Sequence, residues 1–420
     1  MFRFVHAADL HLDSPLLGLE RYEGAPVSEL RGATRRALRE LVGLAIRDRA
    51  AFVLIAGDVF DGDWPDFNTG LFFVREMARL REAGIRVALV RGNHDAESQI
   101  TKSLPLPDNV IVFDARKPES IVWDDLRVAV HGQSFTDRTE SEDLAAGYPK
   151  AIPGFFNIGV LHTSLDGRPG HANYAPTRLD VLRSKGYDYW ALGHVHAREV
   201  VCERPRVVFP GNTQGRHARE TGPKGCELVT VEDGEIQAEF VALDSVRWAH
   251  LHLPTGDTAD REALLAAVYE QLREASRVNG DRLLAVRLTV EGAGPLYEAV
   301  MPRLDAIEAD IRALALDIGP SPVWIEKIRF RLHPAFDRNQ AAARPDAVGE
   351  ILRQVDALSA SQADLGDLAK DALGDLMSKL PPEAREGVDS LRLDEPEILA
   401  RLLADAEGIL IARLQETVRS

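Results

Sequence analysis

Five short blocks rich in carboxylate, amide and imidazole side chains punctuate the first half of the chain, and each follows a run that reads as a buried strand. They are Asp9-Leu10-His11, Gly57-Asp58-Val59-Phe60-Asp61, Gly92-Asn93-His94-Asp95, His162 and Gly193-His194-Val195-His196. The runs Phe2–Ala8, Ala51–Ala56, Arg86–Val90, Asn157–Leu161 and Tyr187–Leu192 are short and rich in β-branched or aromatic residues, and each ends near Gly, Asn, Asp or His. Helices are predicted between the early ones, over about Ala33–Arg49 and Thr69–Ala83, the second stopping at Gly84. Strand, loop, helix, strand is the signature of an α/β domain. Leu126–His131, Val207–Phe209 and Glu227–Val231 read as further strands with little helix between them. The expectation is a layered, two-sheet α/β domain over residues 1–243.

The residue types point to chemistry. Extended backbone points residues i and i+2 the same way. Asp9 and His11 can then grip one ion while Leu10 faces the core, and His194 and His196 share that geometry. Glycines at 57, 92 and 193 let the chain turn out of a strand and keep bulk off a site. Carboxylates, imidazoles and one amide, with no thiolate, suit manganese, iron or zinc better than a structural cysteine-type zinc site. Seven ligands drawn from these blocks would be too many for one ion and right for two that share a bridge. Two such ions polarise a phosphate and lower the pKa of a water between them. One DxH or HxH pair alone is commonplace; the order and strand-end placement of all five blocks are not.

A second unit is expected over 245–335. Trp248–Leu253, Leu283–Val290 and Val323–Leu332 read as strands, Asp260–Ala275 and about Leu296–Ala313 as helices, a small appended α/β domain. Residues 336–420 form the third part, helical in period from Asp346 onward, with a break at Pro381-Pro382. From Asp346 there are 16 Asp/Glu against 8 Lys/Arg, a net of −8 out of −16 for the chain. Leu399, Leu402, Leu403, Ala406, Leu410 and Leu414 recur at helical spacing, which packs a helix on its own protein or docks it in a partner's groove.

The acidic balance excludes a nucleic-acid binder that works by bulk charge, but not a local basic groove. No run reaches the roughly 18–20 apolar residues of a membrane span. Cys202 and Cys226 form no framework, and the N-terminus lacks a signal-peptide pattern, so a cytoplasmic setting is expected.

The pattern DxH…GDxxD…GNHD…H…GHxH resembles the signature of the calcineurin-like metallophosphoesterase superfamily, with all five blocks intact over roughly residues 1–230. Within it the chain is similar to the SbcD/YhaO-type DNA repair exonucleases, through Phe4–Leu12, Gly57–Asp61, Phe209–His217 and Glu220–Cys226. The resemblance implies a layered αββα sandwich, with the appended domain as a cap and a helical C-terminal region. It implies a DNA nuclease using a water activated by two divalent ions, manganese foremost with iron, zinc and magnesium as alternatives. It implies an SMC-like (SbcC/YhaN-type) ATPase as partner, and allows a homodimer. Asp9, His11, Asp58 and His196 would hold one ion, and Asp58, Asn93, His162 and His194 the other. His94 would contact the scissile phosphate and assist the leaving oxygen, with Asp95 orienting His94. Some archaeal and eukaryotic relatives carry histidine where Asp61 stands, which leaves Asp61 as a supporting carboxylate or a turn residue.

Weaker signals remain. The arginines of Arg31–Arg49 read as a solvated face or as a phosphate-contacting ridge. Arg216 and His217 are candidate substrate contacts near the site mouth. Trp64, Phe67, Phe72 and Phe73 would stack a splayed base or, more ordinarily, fill a core. The rival functions are a phosphatase or cyclic-nucleotide phosphodiesterase with the same metal pair, and a non-catalytic scaffold. Against a Ser/Thr phosphatase, no arginine follows Asp61, and the third block ends in Asp rather than Glu.

Overall fold

The computed structural model describes residues 1–14, 24–61, 68–97, 104–167, 174–256, 258, 260–319, 322–333, 338–379 and 395–419. Trp64, Phe67 and the Pro381-Pro382 break lie outside the described residues. The chain divides into two compact units. One comprises Met1–His250, Val278–Arg287 and Pro320–Glu326, the other Leu251–Arg277, Leu288–Gly319 and Lys327–Ser420.

The first unit is built on two six-stranded sheets. Its strands are β1 (Phe2–Ala7), β2 (Phe52–Ala56), β3 (Arg86–Val90), β4 (Val110–Val112), β5 (Glu119–Trp123), β6 (Val128–Gly132), β7 (Phe156–His162), β8 (Tyr189–Gly193), β9 (Glu199–Glu203), β10 (Arg206–Phe209), β11 (Gly225–Glu232) and β12 (Glu235–Ala242). One sheet has the order β12-β11-β1-β2-β3-β4, the other β5-β6-β7-β8-β10-β9. β1, β2, β3 and β4 run parallel, as do β6, β7, β8 and β10, while β11, β5 and β9 pair antiparallel to their neighbours.

The layers follow from period-two alternation. Phe4, Phe52, Leu54, Val130, Ile158, Tyr189 and Ala191 meet in one cluster between the sheets. The intervening Val5, Val53 and Ile55 pack instead with Leu38, Leu41, Phe73 and Met77 of the helices Ala33–Arg47 and Asn68–Glu82. On the other sheet Trp190 and Leu192 pack outward with Leu144 and Leu182 of the short helices Leu144–Gly147 and Leu179–Ser184. Helix, sheet, sheet, helix is the expected αββα sandwich. Phe4 and Phe52 stack at 4.9 Å and Tyr189 meets Phe4 edge-on at 5.2 Å, so the middle layer is aromatic. Phe72 and Phe73 are 4% and 1% exposed, so they are core and stack no base.

Strands β4, β5, β9 and β12 escaped the sequence reading. β12 alternates Glu, Gln and Glu with half-buried apolar residues, and β9 is nowhere fully buried, so neither offers an apolar run. All four lie on or next to sheet edges, where one face or one flank meets water.

A three-stranded sheet has the order β13 (Val246–Pro254), β14 (Leu283–Ala293), β15 (Val323–His333). In the second unit the helix Arg261–Asn279 is tied to Leu304–Leu316 by Arg261 and Asp310 at 2.7 Å. Its C-terminal helices are Ala347–Ala360, Gln362–Lys379 and Pro396–Arg419. Ile411 packs with Ala341 and Leu352, and Leu399 with Leu365 and Ala369, while Leu410 is 49% exposed. The apolar stripe is therefore only partly used by its own chain.

Gly159 of β7 lies beneath the Trp190 ring, where an added methyl would overlap it. Gly159→Ala is expected to lower the unfolding free energy by about 1–3 kcal/mol through overpacking, with an unchanged urea m-value. An unchanged urea midpoint would mean that the ring yields freely.

Candidate metal centre

The parallel strands deliver their carboxyl ends to one edge of the sandwich, where an open α/β sheet carries its site. Asp9 and His11 follow β1, Asp58 follows β2, Asn93 and His94 open the short helix Asn93–Glu97 after β3, His162 ends β7, and His194 and His196 follow β8. The loops are laced by backbone bonds from Asp9 N–H to Gly57 O, His11 N–H to Asp58 O and Leu12 N–H to Val59 O.

These side chains come together. Ligand atoms of Asp9, His11 and His196 lie within 4.8 Å of one another, as do those of Asp58, His162 and His194 and those of His11, Asp58 and His94. Asn93 Oδ1 is 3.0 Å from His162 Nε2. Asp9, His11, Asp58, Asn93 and His162 are at most 3% exposed.

The backbone that achieves this is not the extended one expected. Asp9, His11, Asp58 and His194 have φ of 52°, 41°, 51° and 97°, the left-handed region that side-chain-bearing residues rarely adopt. Leu10 does face the core, at 1% exposure, but Asp9 and His11 converge through two left-handed residues rather than a continued strand. Such strain collects where the surroundings over-determine a functional geometry. Gly57, with φ 91°, borders His162 and Gly92, and a methyl on Gly92 would strike both Asp58 and His162. Neither position has room for a Cβ.

The donor set fits a pair of cations. His11 Nε2 and His196 Nε2 face each other at 3.2 Å, with Asp58 Oδ2 3.9 Å from the first and Asp9 Oδ1 3.9 Å from the second. His162 Nε2 lies 3.4 Å from Asp58 Oδ2. The far nitrogens are turned to acceptors: His162 Nδ1 donates to Ala56 O at 2.9 Å and His196 Nδ1 to Glu220 Oε1 at 2.7 Å. That fixes tautomers in which Nε2 offers its lone pair to the cluster.

The electrostatics of the bare side chains are uneven. Burial, then the Arg216 charge, brings His11 down to about 3 and keeps it neutral. Burial also opposes charge on His162, yet Asp58 outweighs it and lifts His162 to about 9. Burial disfavours a charged His94 too, but the Asp61 hydrogen bond and the charge of Asp58 raise it above the ordinary imidazole value. Burial raises Asp95 to about 6, reinforced by Asp58.

The geometry changes the expected places of Asp95 and Arg216 and narrows the choice left open for Asp61. Asp95 accepts from Val59 N–H, Phe60 N–H and Gly92 N–H, so it is tied to the loop backbone, and the carboxylate on His94 is that of Asp61, at 2.8 Å from Nδ1. Asp61 is no mere turn residue, since it also takes a hydrogen bond from Ser14 and lies 3.5 Å from His11 Nδ1. Arg216, with 14% of its side chain exposed, packs against the cluster, 3.2 Å from Glu220 and 3.4 Å from Asp61, rather than standing open at the mouth. His217 stays 54% exposed. Glu220 was missed as a site residue. A histidine that binds metal needs an acceptor for its other nitrogen, and although Glu220 opens one of the stretches that carry the family resemblance, neither its type nor its spacing marks it as the partner of His196.

The fold and this cluster define a two-metal phosphoesterase, and comparison with known proteins agrees. The Calcineurin-like phosphoesterase family model matches residues 2–198, and that of the middle domain of Metallophosphoesterase YhaO matches residues 248–333. The "Uncharacterized metallophosphoesterase YhaO" of Bacillus subtilis is 37% identical over 308 residues, spanning 72% of this chain and 75% of that protein. A "DNA double-strand break repair protein Mre11" from Methanopyrus kandleri is 23% identical, spanning 97% and 86% of the two chains. One from Sulfurisphaera tokodaii is 27% identical, spanning 64% and 70%. The chain belongs to the calcineurin-like metallophosphoesterases, and within them to the YhaO type. It is thus a hydrolase of phosphoester bonds that takes two divalent metals. No helix among the described residues is long and apolar enough to cross a membrane.

Arg216→Met would leave the buried Glu220, and Asp61 beside it, without the cation that pairs with both. Removing one partner of a buried ion pair costs about 3–5 kcal/mol, and a loss of that order is expected in chemical denaturation of the metal-free protein. A loss below about 1 kcal/mol would mean that the two carboxylates are already neutralised by their histidines.

Proposed function

We propose that this chain is a metal-dependent DNA nuclease that hydrolyses phosphodiester bonds and acts in DNA repair beside an SMC-like ATPase. The observation that carries the reading is the convergence of Asp9, His11, Asp58, Asn93, His162, His194 and His196, in a chain alignable over nearly its whole length with an archaeal Mre11. The DNA substrate and the repair setting rest on that relative's name, and the ATPase partner on the family resemblance. Residues 1–243 would be the nuclease part, 245–335 a cap and 336–420 a docking region. Leu410, left exposed on the last helix, supports the last of these.

Asp9, His11, Asp58 and His196 would hold one ion, and Asp58, Asn93, His162 and His194 the other, with Asp58 shared. A bound pair supplies Lewis-acid polarisation of the phosphoryl oxygens and a water of lowered pKa; manganese suits this oxygen and imidazole set. The remaining work belongs to the chain. His94 N–H donates to Asp58 Oδ1 at 3.0 Å, which fixes the start of the helix on the cluster. Its Nδ1 is committed to Asp61, so Nε2 is the nitrogen that would give a proton to the departing sugar oxygen. Asp61 favours the protonated ring that this requires. Glu220 holds His196 in its ligating tautomer, and Arg216 and Asn212 hold Glu220.

His94→Ala is expected to keep both metals, read by elemental analysis, while manganese-dependent DNA cleavage falls by about 10²–10⁴-fold. Wild-type protein that leaves plasmid and single-stranded DNA intact while rapidly cleaving p-nitrophenyl phosphate would make the chain a phosphatase instead.

Glu220→Ala is expected to weaken one of two manganese-binding events by about 10–100-fold in calorimetry. Glu220→Gln keeps an acceptor for His196 Nδ1 and should retain most of that affinity. Equal affinities in wild type and Glu220→Ala would remove Glu220 from the metal site.

A further inference from the structure

The helices Ala33–Arg47 and Asn68–Glu82 flank a half-open concavity of about 410 Å³ lined by Arg35, Arg39, Asn68, Leu71, Phe72 and Arg75. Three guanidinium groups share this concavity in a chain whose net charge is −16. Arg35 is paired with Asp13. The Arg39 contact is Glu76 at 4.0 Å, but Glu76 is closer to Arg79, at 2.5 Å. Arg75 is exposed. The ring of Phe72, itself buried, lies under both Arg35 and Arg39 at 5.2 and 5.1 Å. The one ring thus carries two cations within about 5 Å, each also within reach of a carboxylate, Asp13 for Arg35 and Glu76 for Arg39. Stacked guanidinium forks are also preorganised for phosphate oxygens.

The cradle is fastened to the metal-bearing loop. Asp13, two residues beyond His11, accepts from Arg35 and from Thr69, and its N–H donates to Thr34.

We propose that this cradle binds the phosphodiester backbone of a nucleic acid whose scissile phosphate lies at the metal cluster. The inference rests on the nuclease reading and names the path of its substrate. It also supplies the local positive charge that an acidic nuclease requires. A second copy of the chain fits the cradle less well. In a two-fold interface the same patch meets itself, so arginines would face arginines, with Leu71 the exposed apolar side chain of the lining.

The test is fluorescence anisotropy of a labelled single-stranded oligonucleotide with the full chain in EDTA, where cleavage cannot occur. Wild type is compared with Arg39→Ala/Arg75→Ala and with Arg273→Ala/Arg277→Ala, a control on an exposed helix elsewhere. The cradle variant should bind roughly tenfold more weakly, with a log–log salt slope smaller by about 1.4 for two lost phosphate contacts on a single strand. The control should match wild type. If the double variant fails to keep the wild-type melting temperature, Arg75→Gln alone should lower the slope by about 0.7. Unchanged affinity and slope in a protein that still cleaves DNA would overturn the cradle and leave the nuclease reading standing. Unchanged affinity with an altered mass by light scattering would make the surface an interface between copies and overturn it equally. Wild type that neither binds nor cleaves DNA would overturn both readings together.

Discussion

Two buried carboxylates, Asp9 and Asp58, set the terms for the rest of this structure. Each is 1% exposed, and a buried carboxylate is tolerated only with compensation by positive charge and hydrogen bonds. The chain brings imidazoles from four separate segments to them, His11, His94, His162 and His194 with His196, and directs backbone N–H groups at them from His94 and His194. Imidazoles alone make poor counter-ions, since burial disfavours their charged form. His11 and His162 are driven in opposite directions by surroundings only a few ångströms apart. A cluster so divided is more easily reconciled by cations than by protons, and that asymmetry is the physical content of calling it a metal centre.

Holding the groups there strains the backbone. Four of the cluster residues sit at positive φ, and the glycines beside them leave no space for a side chain. Strain of this kind, of order 1–3 kcal/mol per residue, persists because the sandwich beneath it is over-determined. The inner faces of both sheets share one aromatic-rich layer, and their outer faces are closed by helices. A rigid support and a strained rim go together: the same parallel strands that bury Val53 and Ile55 fix where Asp58 can stand.

The strands that carry the centre were legible because they are buried on both faces and read as unbroken apolar runs, as β2 and β3 do. The edge strands β9 and β12 were not, because half of their residues meet solvent and carry charge. Membership of the cluster was legible for the same reason as the strands, since each residue is anchored to a strand end. The partners of those residues were not. Whether the carboxylate on His94 would be Asp61 or Asp95 depends on where one loop turns, and a left-handed Asp58 turns it so that Asp95 faces the loop backbone. Glu220 reaches His196 from a loop whose conformation is held by Asn212 and Arg216 rather than by any periodic pattern.

The acidity of the chain looks at odds with a polyanionic substrate, yet the charge is not evenly spread. From Asp346 onward acids outnumber bases by two to one, while the helix Ala33–Arg47 and its neighbour Asn68–Glu82 are dense in arginine. Beyond about 8 Å at physiological ionic strength, charges on the surface are largely screened. A substrate therefore responds to the groups within one Debye length of its path rather than to the net charge. Arg35 illustrates how the two scales are joined. Its guanidinium is stacked over Phe72 on the helical side and bonded to Asp13 on the loop side, so one residue belongs both to the basic surface and to the loop that carries the metal-binding candidates. Locally basic and globally acidic are compatible whenever such a link is rigid, because the local field then acts at a fixed distance from the chemistry.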